Sequence, residues 1–271
     1  MTSGSPASPI DELFERTRRQ GRAALVGYLP SGFPTKDVSI RAIEAMVEGG
    51  VDLVEIGLPY SDPVMDGPVI QAAAEQALAA GSRTTDVFDV VRATAATGVP
   101  TVVMTYWNPV ERYGVERFAA DLAAAGGSGL ITPDLIPDEA VEWIDASAAH
   151  HLDRVFLVAP SSTDERLAMT VEAASGFVYA TAVMGVTGAR EQTSSLGEAL
   201  VARVKAVSDK PVGVGLGVSN GTQAHEIAAY ADAVIVGSAL VRCLLDAPDE
   251  AAGIDAIRAL AQDLRAGVER N

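Results

Sequence analysis

Little in this chain of 271 residues can support redox or histidine chemistry: it holds one cysteine, Cys243, and three histidines. A single cysteine excludes an internal disulfide framework and fits a reducing compartment. Lysine is scarce as well, confined to Lys36, Lys205 and Lys210. No basic stretch offsets a formal net charge of −16, and such a chain does not track a phosphate backbone, which argues against nucleic-acid binding. The longest uncharged stretch, Ala93 to Val110, is interrupted by Gly98, Pro100, Asn108 and Pro109 and reads as a helix end plus a strand rather than a membrane span. The opening MTSGSPASPID lacks the basic residues and apolar run of a signal peptide. A soluble, cytoplasmic protein is expected, with a short disordered tail over residues 1–9.

Apolar residues are plentiful at 48%, enough for a large core. From residue 10 to 271 one alternation repeats, a short β-branched apolar run followed by an Ala-rich helical pattern. The strand-like runs are Ala23–Tyr28, Val51–Gly57, Thr101–Tyr106, Gly129–Pro133, Arg154–Ala159, Phe177–Ala182, Pro211–Gly217 and Ala233–Gly237. Eight units of roughly 34 residues predict a single-domain α/β fold, a (β/α)8 TIM barrel. An additional N-terminal helix over Ile10–Gln20 is placed to plug the barrel's bottom. The alternative is an open doubly wound sheet, which the missing G-x-G-x-x-G after the first strand weakens.

In such a barrel, catalytic side chains come from the C-terminal strand ends and the loops beyond them. His150 and His151 end a helix and His225 lies inside another, which argues against a His general base or a His-rich metal site. No lysine falls at a C-terminal strand end, so a Schiff base has no candidate. Cys243, within VRCLL, reads as a core residue. Carboxylates and tyrosines remain.

The informative segment is VDLVEIGLPYSDPVMDGPVIQ, residues 51–71. Alternation puts Val51, Leu53 and Glu55 on one face of the second strand and Val54 and Ile56 on the other. Glu55 then points into an apolar lumen, where an ionised, unpaired acid costs several kcal/mol. Either a buried ion pair compensates it, or its pKa is raised for acid–base work. Asp62 and Asp66 follow in a Pro- and Gly-rich loop on the same rim, where an aspartate by itself is ordinarily a turn former. Tyr28 and Tyr106 end strands 1 and 3, and Tyr179 shares a face of strand 6 with Phe177 and Thr181. Together they can line a flat ligand slot or simply pack. Asp134, beyond strand 4, reads as structural or as a support for a neighbouring site residue.

Late in the chain come Gly185–Gly188, Gly213–Gly217 and the pair Gly237-Ser238. Loops after strands 7 and 8, with a short helix N-terminus, form the usual barrel phosphate site. Glycine lets backbone N–H groups approach the anion without any basic side chain.

Taken together, VEIGLPYSDPVMDGPVIQ, MTYWNPVERYG, GVTGAR, GVGLGVS and VIVGSALV resemble the α subunit of tryptophan synthase, in order and with family-like spacing from about Ile10 onward. The resemblance implies a lyase that cleaves indole-3-glycerol phosphate to indole and glyceraldehyde 3-phosphate in tryptophan biosynthesis. It implies no cofactor or metal in this chain. It further implies a pyridoxal-phosphate-containing β subunit as partner, with an αββα heterotetramer as the expected assembly. Carried over by motif, Glu55 matches the acid–base glutamate and Asp66 the aspartate beside the indole nitrogen. Tyr28, Tyr179 and Thr187 match positions near the substrate, Thr187 in a mobile loop after strand 6. Gly188, Gly217, Gly237 and Ser238 match phosphate contacts, and Gly215 opens the same turn. Asp62 and Asn108 match positions facing the β subunit. Val183 stands where well-known members carry an arginine, and Leu216 where they carry a phenylalanine.

Retro-aldol cleavage needs an electron sink, and with no Schiff-base lysine the substrate must supply it; indole protonated at C3 does so. Two rival readings are another phosphate-binding barrel, such as an indole-3-glycerol phosphate synthase or a sugar-phosphate isomerase, and a degenerate subunit that only activates its partner. The missing strand-end lysine argues against the synthase, and retention of Glu55 and Asp66 against the degenerate subunit.

Overall fold

The structure, a computed structural model, describes residues 7–181, 190–215 and 217–270. Its strands are β1 (Ala24–Pro30), β2 (Leu53–Gly57), β3 (Thr101–Met104), β4 (Gly129–Thr132), β5 (Asp153–Val158), β6 (Val178–Thr181), β7 (Val212–Gly215) and β8 (Ala233–Val236). They pair in parallel in sequence order, and β8 returns to β1 from Ala24↔Ala233 to Gly27↔Val236. That last ladder closes the barrel and rules out the open sheet.

Strand alternation sorts side chains into two layers. Ala24, Val26, Leu53, Val102, Ile131, Val155, Phe177, Ala233 and Ile235 fill the lumen. Their neighbours in sequence, among them Leu25, Val54, Ile56, Val103, Leu130 and Val234, face the helices. Helix α1 (Pro9–Arg19) plugs the lower end, inserting Ile10, Leu13 and Phe14 into the lumen cluster. The Phe14 and Phe177 rings meet at 5.8 Å. The helix begins one residue before the expected start: Ser8 and Asp11 form a reciprocal capping box, with Pro9 in the first turn.

Val51 corrects the expectation for strand 2. It does not share the face of Leu53 and Glu55, because the strand starts only at Leu53 and Val51 packs in the outer layer. The cause is Asp52, which is held by Arg22 through contacts of 2.6 and 2.7 Å and accepts from Leu25 N at 2.9 Å. That buried pair turns the backbone before the alternation begins. Strand 1 continues past Tyr28 to Pro30, so Tyr28 lies within it. Strand 3 stops at Met104, and Tyr106 is instead the N-cap of α5 (Trp107–Tyr113). The Asp134 carboxylate accepts from Trp107 N at 2.9 and 3.1 Å, the structural reading of that residue.

Candidate active site

Glu55 sits one pleat above Leu53, facing inward on β2, and is 1% exposed. Its register partner on β1 is Tyr28 and on β3 Val102. Among the described residues, Glu55 Oε2 has no hydrogen-bond partner. Glu55 thus forms no ion pair among the described residues, which argues against the ion-pair reading. Burial, reinforced by the negative charge of Asp66, raises the Glu55 pKa to about 8. The acid is mostly protonated at neutral pH.

Asp66 arrives from the loop between β2 and α3 (Pro68–Ala79). Gln71 Nε2 donates to the Asp66 carbonyl at 2.7 Å, which ties the loop to the first turn of α3. The Tyr106 hydroxyl donates to Asp66 Oδ1 at 2.9 Å and accepts from Met65 N at 3.0 Å. Burial pushes the Asp66 carboxyl above its ordinary range, and the Tyr106 hydrogen bond opposes that.

Tyr28 and Tyr179 complete the group. Burial raises the pKa of both well above the ordinary phenol value. Glu55 adds to the shift in each case, and Asp66 adds to it for Tyr28. Five titratable groups from β1, β2, the loop after β2, the start of α5 and β6 thus share one poorly solvated space at the C-terminal face. Two glycines make room for the rings. A Cβ built at Gly57 would stand 2.2 Å from Tyr28 Oη, and one at Gly215 would stand 2.6 Å from Tyr179 Oη. Neither Gly57 nor this role of Gly215 was singled out from the sequence, although a glycine two residues past an inward acid is a visible signal.

The glycine turns lie beside this group. Gly215 pairs with Ile235, so Gly217 and Gly237 each lie two residues further on, at the ends of neighbouring strands. Gly217 has φ +66°, a conformation that favours glycine. Gly237 is the N-cap of α11 (Ser238–Leu245), without a side-chain cap. Val241 N is the first to return to a carbonyl, that of Gly237. The N–H groups of Ser238, Ala239 and Leu240 precede that first bond and open toward the same rim. Thr187 and Gly188 lie outside the described residues, as do Val183 and Leu216.

Asp62 and Asn108 are exposed on this rim. They are not bonded to each other. Ser61 Oγ donates to Asp62 at 2.6 Å, and Asn108 Nδ2 donates to Tyr60 Oη at 2.9 Å. The Tyr60 ring packs on Tyr106 at 5.4 Å. Tyr60 sits in an aperiodic loop, and no pattern in the sequence marks it. Beside it Val64 and Met65 are 77% and 51% exposed. Among the described residues no cluster of His, Cys, Asp or Glu is arranged to hold a metal ion. Nor is any described helix long and apolar enough to cross a membrane.

A closed parallel barrel with a buried unpaired acid and glycine turns at its C-terminal face is a (β/α)8-barrel enzyme site. The family model for the tryptophan synthase alpha chain matches residues 14–269. The tryptophan synthase alpha chain of Salinispora arenicola is 65% identical over 96% of this chain and 98% of its own length. That of Nocardia farcinica is 61% identical over 97% of each chain. A solved structure of Mycobacterium tuberculosis tryptophan synthase is 58% identical, with a TM-score of 0.91, covering 98% of this chain and 100% of the other. The Legionella pneumophila subunit alpha superposes with a TM-score of 0.88 at 32% identity over 96% and 98% of the two chains. The chain belongs to the tryptophan synthase alpha chain family, as its motifs led us to expect.

Proposed function

We propose that this chain, as the α subunit of tryptophan synthase, cleaves indole-3-glycerol phosphate to indole and glyceraldehyde 3-phosphate, with Glu55 as acid and base and Asp66 as electrostatic partner. Family membership supports the reaction. The observation that carries the residue roles is Glu55 itself: a buried acid with an unpaired oxygen and a pKa near 8, facing Asp66 among tyrosines.

In its acid form Glu55 donates a proton to indole C3. The product is a cation delocalised to N1, and Asp66, ionised, offsets the charge at N1–H. Glu55, now a carboxylate, takes the proton of the hydroxyl on the carbon bonded to C3. The C–C bond breaks, its electrons return to the indole ring, and the hydroxyl carbon becomes the aldehyde. Glu55 ends protonated, ready for the next turn, and a raised pKa suits both steps. Tyr28, Tyr106, Tyr179 and Thr187 would wall the indole. Gly188, Gly215, Gly217, Gly237 and Ser238 would cradle the phosphate with backbone N–H groups.

Asp62 and Asn108 would face a β subunit carrying pyridoxal phosphate, in an αββα assembly in the cytoplasm. The exposed Val64 and Met65 between them support a covered surface there.

The test is indole release from indole-3-glycerol phosphate by Glu55→Gln and Asp66→Asn. Both should bind substrate. Glu55→Gln should lose about 10²–10⁴-fold or more in turnover. Activity within threefold of wild type would reject the assignment.

A further inference from the structure

Asp66 could occupy several positions, because the backbone around it is loop from Leu58 to Gly67. One side-chain contact selects its placement, the Tyr106 hydroxyl on Oδ1 at 2.9 Å. That leaves Oδ2 without a hydrogen bond among the described residues. Tyr106 is itself pinned at two points. Its hydroxyl accepts from Met65 N at 3.0 Å, and its ring lies against Tyr60, 5.4 Å between centroids and 35° between planes. Tyr60 is held from the far side by Asn108, whose amide donates to Tyr60 Oη at 2.9 Å. The contacts run in one line from the exposed rim to the carboxylate: Asn108, Tyr60, Tyr106, Asp66.

We infer that Tyr60 is a positioning residue for Asp66: its ring, anchored by Asn108, braces Tyr106 so that the Tyr106 hydroxyl fixes one carboxylate oxygen and leaves the other to the substrate. The inference rests on the proposed role of Asp66. Tyr60 touches no reacting atom. A tilted aromatic pair at this distance gains from a specific ring geometry, and a phenol donating to a carboxylate favours its ionised form. Removing the brace therefore loosens a hydrogen bond that opposes the burial effect on Asp66. The other titratable groups facing this carboxylate are Glu55 on β2 and Tyr28 on β1, and neither contacts Tyr60 through a hydrogen bond or a ring pair among the described residues.

The test follows the Asp66 carboxylate by carbon-13 NMR as a function of pH in the free enzyme, alongside kcat and KM for indole release. The variants are Tyr60→Leu, Tyr60→Phe, Tyr106→Phe and the Tyr60→Leu/Tyr106→Phe double variant. Tyr106→Phe should move the Asp66 titration upward by about one pH unit. Tyr60→Leu should move it the same way, at least half as far, and lower kcat more than it raises KM. Tyr60→Phe, which keeps the ring against Tyr106 but loses the Asn108 anchor, should recover part of the difference. In the Tyr106→Phe background Tyr60→Leu should add nothing. An unmoved titration in a folded Tyr60→Leu, equal damage from Tyr60→Phe, or full additivity would each overturn the inference. The titration is read without substrate. If the shifts appear and no variant, nor wild type, releases indole, the positioning stands and the proposed reaction fails.

Discussion

Tyr28 and Glu55 are register partners across β1 and β2, one pleat beyond the Val26–Leu53 pair. The acid therefore pairs in register with a phenol rather than a base, and among the described residues neither influence named on it, burial and the Asp66 charge, favours the carboxylate. Tyr28 feels the same isolation, since Glu55 and Asp66 both push its pKa further up.

A pH-dependent stability follows. The folded Glu55 holds its proton to about pH 8, whereas the unfolded residue releases it near its ordinary value of 4.5. Between those values the native state binds the extra proton, so stability is highest at the acid end and falls as pH rises toward 8. Above that it levels off. Glu55→Gln removes the titration. Its melting temperature should exceed that of wild type at pH 8.5 and the gap should close as pH approaches 4.5. A gap that widens toward acid would contradict the raised pKa. In turnover, loss of the acid form should give wild type an alkaline limb near pH 8.

Gly57→Ala tests the room made for Tyr28. The new methyl would overlap the phenol, with Oη at 2.2 Å and Cζ at 2.6 Å. The ring also lies near Gly237, the N-cap of α11, where a Cβ would be 3.4 Å from Tyr28 Cδ1. Relief of the overlap therefore requires the ring to shift, and the slot it borders to change shape. We expect a loss of about 1–3 kcal/mol in stability from overpacking and a loss of indole affinity. Unfolding curves and indole titration check both. Unchanged affinity for indole would show that Tyr28 does not border the slot.

Gly237→Asp asks a different question at nearly the same place. Gly237 has φ −117°, which any residue adopts, and a Cβ there meets Tyr28 only at ordinary contact distance, 3.4 Å. The fold should accept the change. A carboxylate at the N-terminus of α11 should instead repel a phosphate dianion. Calorimetry should find glycerol phosphate binding abolished and indole binding retained. Equal loss of both would mean the slot had collapsed.

The barrel was legible because eight β-branched runs alternate with helical patterns, and Glu55 because its parity against Leu53 and Val54 sends it inward. Asp66 was legible as an acid on the correct rim, but its hydrogen bond to Tyr106 joins residues forty positions apart, beyond any local pattern. Tyr60 and its ring contact were hidden for the same reason. Val51 misled because Arg22 and Asp52 form a buried pair thirty residues apart that interrupts the expected alternation. The sequence reads Tyr106 as the end of a strand because a helix N-cap and a strand end are both extended backbone. The structure gives it φ −65° and ψ 157°.

Val64 and Met65 are exposed at 77% and 51% on the loop that delivers Asp66. Met65 N is bonded to the Tyr106 hydroxyl, so whatever covers these side chains also restrains the phenol that holds Asp66. Asp62 on the same loop and Asn108 at the start of α5 are exposed polar groups suited to an interface rim. A β subunit docked here would exclude water from the outer side of the slot, and the Asp66 charge would then act on N1–H in a less polar medium. Adding the cognate β subunit should speed indole release by roughly tenfold or more, equal to at least about 1.4 kcal/mol in the barrier. Asp62→Ala should reduce that factor, with sedimentation showing whether the loss lies in docking or in activation of a formed complex. An isolated chain that already turns over at the rate of the complex would remove the case for activation through this rim.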